Sequence, residues 1–369
     1  MNVAELLEGR KVCVCAGSGG VGKTSTAAAI ALGMAARGAK VAVVTIDPAP
    51  RLATALGLEQ LSNEPLPIEP ARLAGAHVKG ELWAMMLDPK RTFDELIDRV
   101  APTPKRAAEI KDNRVYRELS TAVSGSQEFT AVSKLYELAH EADFDLLVLD
   151  TPPSRNALDF LEAPRRLTAF LEGRMLRVLR GPSGLGVRLV SAGTAPLMGA
   201  LRLVTGVDAI ADVTGFFALL GDMTEAFSKR AKRVEELLRS PETAFVLVTS
   251  PQSAPIDEAI WFRRTLHDGG LPFAGVIVNR FHEELPDGDG ASLADLASTL
   301  GDDLATRVLA NLADYRLLAA RDAANIARLR AELDSEPVLL VPRFDDDVHD
   351  ISGLLRMHQF LFAEANDGR

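Results

Sequence analysis

Eight residues near the start of the chain, Gly17-Ser18-Gly19-Gly20-Val21-Gly22-Lys23-Thr24, have the spacing G-x-x-x-x-G-K-[ST]. Each residue type there has a chemical reason. Glycines let successive backbone N–H groups turn inward towards phosphate oxygens, where side chains would collide. A helix starting near Gly22 adds the partial positive charge of its N-terminus. A lysine at position 23 reaches the outer phosphates of a bound nucleotide, and the Thr24 hydroxyl is placed to ligate Mg²⁺. The pattern assigns Gly19, Gly20, Val21, Gly22, Lys23, Thr24 and Ser25 to the phosphate chain.

Two carboxylates follow at the ends of later apolar runs. In "FDLLVLDTPPS", Asp150 closes four apolar residues, where it can hold Mg²⁺ directly or through water. In "VTIDPAPRLATALG", Asp47 stands where it can orient or deprotonate a water attacking the γ-phosphate. The competing reading of Asp47 is an Asx turn ahead of Pro48. Asn279 in "VIVNRFH" ends another apolar run and could meet a purine edge, or simply turn the chain. A guanine reader of the N-K-x-D kind needs an acid where His282 stands, so adenine, and hence ATP, is favoured.

The elements that position these residues are short β-branched runs: 11–16, 40–46, 82–87, 145–150, 244–250, 274–279 and 337–342. Most are almost continuously apolar, as strands covered on both faces must be. Helix-period segments at 23–37, 127–142, 255–268 and 314–334 alternate with them. This alternation predicts an α/β fold with a doubly wound, mostly parallel sheet. A single domain over 1–369 is expected, with a helical insertion at 165–235 that lacks any buried-strand run.

Composition excludes several classes. A net charge of −10 opposes generic nucleic-acid binding, which needs clustered cations. Cys13 and Cys15 are the only cysteines, too few for a disulfide framework or a four-ligand metal site, so no zinc is expected. The N-terminus has no signal-peptide pattern, and the most apolar stretch, 195–221, is broken by Arg202, Asp208 and Asp212. A soluble, cytoplasmic protein is expected.

With these pieces in order, the chain resembles the family of arsenical-pump and tail-anchored-protein-targeting ATPases, of the deviant P-loop class. The resemblance is carried by "GSGGVGKTSTAAAIA", "TIDPAPRLATALG", "FDLLVLDTPPSRNALDFLEAP", "GVIVNRF" and "VPRFDDDVHDISGL". It implies a nucleotide-driven dimer with two phosphate loops facing each other, Asp47 in switch I and Asp150 opening switch II. It also adds Pro342 and Arg343 to the nucleotide-binding set.

The departures bear on mechanism. The family loop usually reads K-G-G-x-G-K-[ST], and its first lysine crosses the dimer interface to the partner's phosphates. Here that position is Ser18. A cation delivered in trans is worth roughly 10³–10⁵ in phosphoryl-transfer rate. Arg51 and Arg155, each inside a switch segment, are the expected substitutes, with a heterodimer partner that retains the lysine as a third explanation. The zinc-binding C-x-x-C of some family dimers is absent, as are cysteines placed to bind trivalent arsenic.

Residues 165–202 carry seven arginines against one acid, Glu172, interleaved with leucines and methionines. In the targeting branch this part of the chain shields a client's apolar helix. The alternatives are amphipathic helices packed on the sheet, or an arginine face on an anionic membrane or acidic partner. The expectation is a Mg²⁺-dependent ATPase that cycles through a homo- or heterodimer to power a membrane or other partner. The alternative is a chaperone-like carrier of hydrophobic segments with ATP as timer.

Overall fold

In the computed structural model, residues 1–47, 49–73, 77–114, 116–117, 126–152, 223–285 and 293–363 are described. The expected insertion falls almost wholly outside them; its described part, from Met223, enters a helix at Thr224–Arg239.

Eight strands form one sheet. They are β1 (Val12–Ala16), β2 (Lys40–Thr45), β3 (Leu66–Pro67), β4 (Glu81–Met86), β5 (Leu146–Asp150), β6 (Thr243–Thr249), β7 (Phe273–Phe281) and β8 (Val338–Pro342). Their order across the sheet is β3-β4-β2-β5-β1-β6-β7-β8, and every pair is parallel except the edge strand β3 against β4. All seven expected strands are present. The two-residue β3 is an addition with no periodic signal, because a strand so short buries neither face.

Alternate residues of each strand feed two separate cores. Cys13, Cys15, Val41, Val43 and Val148 pack into one, while Val12, Val14, Val44, Leu147 and Leu149 pack into the other. This two-sided burial explains why the strands are apolar without alternation. One layer is built by α1 (Val3–Leu6), α2 (Lys23–Ala36), α3 (Arg51–Ala55) and the C-terminal helix. The opposite layer draws on α6 (Ser126–Glu141), α7 (Thr224–Arg239), α8 (Ser253–Asp268) and the second half of α10 (Asp302–Leu333). Helices α4 (Pro89–Val100) and α5 (Pro104–Asp112) begin with proline after an Asp or Thr cap, and α9 (Leu293–Leu300) precedes α10.

Helix α10 starts twelve residues before the expected 314. Much of its first half faces outward, with Leu304, Val308 and Leu317 exposed, so no single apolar stripe announced it. The last helix, α11 (Ile351–Leu361), crosses α2 at Gly33, where an added Cβ would overlap the rings of Phe362 and His358.

Strand β1 holds the position that matters for ligands. Its neighbours β5 and β6 come from distant parts of the chain. The connection leaving β1 runs to β2 on one side, and the one leaving β6 runs to β7 on the other. In an open parallel sheet, this divergence leaves a crevice beyond the carboxyl ends of the strands. The ends of β1, β2, β5 and β7 deliver the candidate residues to it. Among the described residues, no helix is long and apolar enough to cross a membrane.

Candidate functional site

The loop from β1 to α2 is held by two close backbone approaches. Gly17 has φ 149°, and a Cβ there would overlap the Val248 carbonyl of β6. Gly22 has φ 93° and caps α2 in a left-handed conformation; a Cβ there would meet the Asn279 amide. Only glycine fits both places without strain. Helix α2 then runs through an alanine-rich turn buried on almost every side, so its N-terminus is anchored by the core.

An open cavity of about 670 Å³ lies over this loop. Gly19, Gly20, Gly22, Lys23, Thr24 and Ser25 line it, together with Asp47 and Thr151 from just beyond the strand ends and Arg51 from the start of α3. Lys23 is only 6% exposed, and its ammonium donates to the Ser18 carbonyl at 2.7 Å. Burial lowers its pKa, opposed by the carboxylates of Asp150 and Asp47.

Beneath the loop, Asp150 is 1% exposed and accepts hydrogen bonds at Oδ2 from the Thr24 hydroxyl (2.8 Å) and the Thr45 hydroxyl (2.9 Å). Desolvation raises its pKa, while those two hydroxyls and Lys23 pull it down. Its other oxygen, Oδ1, is buried without a hydrogen-bond partner. A buried carboxylate oxygen left unpaired is costly unless a ligand completes it. That oxygen and the Thr24 hydroxyl supply the hard donors Mg²⁺ prefers, and in nucleotide sites the remaining positions go to water and phosphate. The residues present therefore fit the ion.

Asp47 makes the Asx turn that is one of its two readings. Its Oδ1 accepts from the Ala49 N–H at 3.0 Å, an Asx turn, and its Oδ2 pairs with Arg51 at 3.2 Å. It also lines the cavity. The Thr45 hydroxyl accepts from the Asp47 N–H at 3.2 Å while donating to Asp150, so one buried side chain ties the backbone at Asp47 to the Asp150 carboxylate. Thr151 fastens the exit from β5 by donating to the Cys15 carbonyl at 2.8 Å.

Other expected residues lie elsewhere. The Asn279 amide donates to the Val21 carbonyl at 2.9 Å, underneath the loop, and Asn279 is not among the cavity-lining residues. It braces the loop from below. Pro342 and Arg343 stand at the end of β8, where the Arg343 N–H donates to the Phe281 carbonyl at 2.8 Å; neither lines the cavity. Ser18 turns its hydroxyl to the Glu258 carboxylate on α8. Arg155 lies outside the described residues.

Residues the motifs did not single out complete the site. Thr45 is a hydroxyl at the end of an otherwise apolar buried strand, which is the signal that would have found it. Arg280, Asp347 and His349 line the outer wall. Ser25 donates to the Val348 carbonyl at 3.3 Å, joining the phosphate loop to the segment after β8.

A strand, a glycine loop and a helix N-terminus at the divergence of a parallel sheet, with a buried Lys, Thr and Asp converging there, define a P-loop nucleotide-binding protein. The sequence model of the anion-transporting ATPase family matches residues 10–295, and the chain belongs to that family. It is 26% identical over 304 residues to "ATPase ARSA1" of Chlamydomonas reinhardtii, covering 73% of this chain and 35% of that protein. It is 26% identical over 291 residues to "ATPase GET3B" of Arabidopsis thaliana, covering 73% and 64%. The "Putative arsenical pump-driving ATPase 1" of Aquifex aeolicus is 26% identical over 258 residues, covering 68% and 58%. The chain thus spans about a third of the Chlamydomonas relative and just under two thirds of the Arabidopsis one.

Proposed function

We propose that the chain is a Mg²⁺-dependent ATPase whose site is the cavity over residues 19–25. The observation that carries this reading is the convergence of Lys23, Thr24 and a half-satisfied Asp150 under that loop. When bound between Thr24 and Asp150, Mg²⁺ supplies charge neutralisation at the outer phosphates. Lys23 and the loop amides hold the phosphate chain. Asp47 orients the attacking water with the oxygen not committed to its own turn. The water oxygen bonds to the γ-phosphorus as the bond to the bridging oxygen breaks. ADP leaves with that electron pair, and the proton the water gives up passes to an oxygen of the phosphate being formed.

Hydrolysis then serves as a switch that releases a nucleotide-closed dimer, homo- or heteromeric, acting on a membrane partner or a hydrophobic client. The relatives' names support work of this kind: one is called pump-driving and others carry the GET3 name. Cys13 and Cys15 are fully buried in β1, so stimulation by arsenite through their thiols is not part of the proposal.

The test is ATP and ADP binding and ATP turnover by the purified chain with and without Mg²⁺, with light scattering to follow mass. Tight ATP binding, Mg²⁺-dependent phosphate release and an ATP-dependent rise to dimer mass are expected. Absence of ATP binding would overturn the assignment. ADP formed only when a second acceptor is added would make the protein a kinase instead.

A further inference from the structure

With serine at position 18 the phosphate loop lacks the cation a lysine there would bring; the neutral Ser18 hydroxyl donates instead to Glu258. A different cation stands over the loop. Arg280 lies near the end of β7, and the register between β7 and β8 shifts there: Asn279 pairs with Val341 and Phe281 with Pro342, leaving Arg280 without a strand partner. Bulges of this kind re-aim a side chain, and they gather beside functional sites. Here the result is a division of labour between neighbours. Asn279 points beneath the loop to Val21, while Arg280 lines the cavity and donates from Nη1 to the Gly20 carbonyl at 3.3 Å.

The backbone at Arg280 has φ 64°, a left-handed conformation that asparagine and glycine enter far more readily than arginine. A long side chain kept in such a conformation at the rim of a cavity is a reason to look for function there. Little else accounts for the guanidinium. Its one carboxylate contact among the described residues, with Asp347, is 3.8 Å long between groups that are 51% and 89% exposed, and such pairs hold weakly. Most of its N–H donors are therefore available to an anion. Arg51, which also lines the cavity, is instead engaged with Asp47.

We propose that Arg280 is a catalytic residue that contacts the phosphate chain of bound ATP at the Gly20 edge, supplying within one chain the charge Ser18 lacks. This rests on the reading of the cavity as an ATP site. The planar fork of arginine suits phosphate oxygens, and charge placed there stabilises the transition state as the γ-phosphoryl group separates from ADP.

The test uses the full-length Arg280→Asn and Arg280→Lys proteins beside wild type, reading melting temperature, ATP affinity and single-turnover hydrolysis at saturating Mg-ATP. Asparagine fits the left-handed backbone, so Arg280→Asn should melt at or above the wild-type temperature. Its saturated rate should nevertheless fall at least about tenfold, with Arg280→Lys between the two. A structural role alone would move the melting temperature and leave the saturated rate in place. Should Arg280→Asn fold poorly, Arg280→Lys decides: a rate more than about threefold below wild type with an unchanged melting temperature supports the proposal. A rate within about threefold of wild type in a folded variant overturns it and leaves the ATP site standing. Failure of wild type itself to bind ATP would remove both.

Discussion

The floor and the rim of the cavity are built on different principles. At the floor, Lys23, Thr45 and Asp150 are all under a tenth exposed, and each is fixed by short hydrogen bonds to neighbouring strands or the loop. At the rim, Asp47–Arg51 and Arg280–Asp347 are ion pairs with at least one strongly exposed partner, mounted on the segments after β2 and β8 and on the end of β7. Charges at the floor feel little solvent screening, so their protonation and their ligand are tightly coupled. Charges at the rim are screened, and their partners can be exchanged at small cost. Under the proposed function, the floor is the part that would hold metal and phosphate, and the rim the part that would reorganise as substrate arrives and leaves.

The largest effect should come from the floor. Asp150→Asn should cut Mg²⁺-dependent hydrolysis by about 10²–10³-fold, measured by single-turnover phosphate release. The same change should stabilise the protein. Burial raises the folded-state pKa of Asp150 above its unfolded value, so folding favours the protonated form, and stability falls as pH rises through that window. At neutral pH the ionised carboxylate is a cost that asparagine removes. A higher melting temperature with lost activity is expected; lost activity with a lower one would contradict the cost ascribed to the buried, ionised Asp150.

At the rim, Asp47→Asn keeps an acceptor for the Ala49 N–H and loses only the pair with Arg51. Stability should change by less than about 1 kcal/mol. Hydrolysis should fall about 10²-fold if Asp47 orients water, with ATP affinity nearly unchanged. Thr45→Val joins the two regions. It removes the donor to Asp150 and the acceptor for the Asp47 N–H, and Mg²⁺ affinity or rate should drop about tenfold. A loss confined to Mg²⁺ affinity would place Thr45 with the floor alone.

The smallest effect lies far from the cavity. His358 stacks on Phe362 at 4.7 Å where α11 crosses α2, and burial with nearby Arg37 lowers its pKa. A depressed histidine pKa means the unfolded chain binds the proton first. Stability is then full above the ordinary histidine pKa and declines as pH falls below it. Melting temperature should be lower at about pH 5 than at about pH 7.5, and His358→Phe should flatten that slope.

The two regions also differ in how much of them was legible in the residues. The floor was legible because glycine spacing, Lys23, Thr24 and a terminal Asp150 obey short-range rules on strands buried from both sides. Thr45 escaped because its role depends on β2 lying beside β5, a pairing between residues 105 positions apart. The rim was legible only in part. Arg51 was placed on the cavity wall by its segment, but Arg280 depends on a strand irregularity with no residue signature. Asn279 read equally as a purine-edge contact or a turn residue from its place at a strand end, and its amide donates to the Val21 carbonyl under the loop, a contact no local pattern announces. The insertion and Arg155 fall outside the described residues.

The central claim is that the loop from Gly17 to Thr24 grips a triphosphate with Lys23 at its outer end. Calorimetric titration of wild type and Lys23→Ala with Mg-ATP tests it most directly. The account predicts tight binding by wild type and a loss of at least about 10²-fold in Lys23→Ala, with the fold intact by circular dichroism. Equal affinity in the two proteins would contradict it.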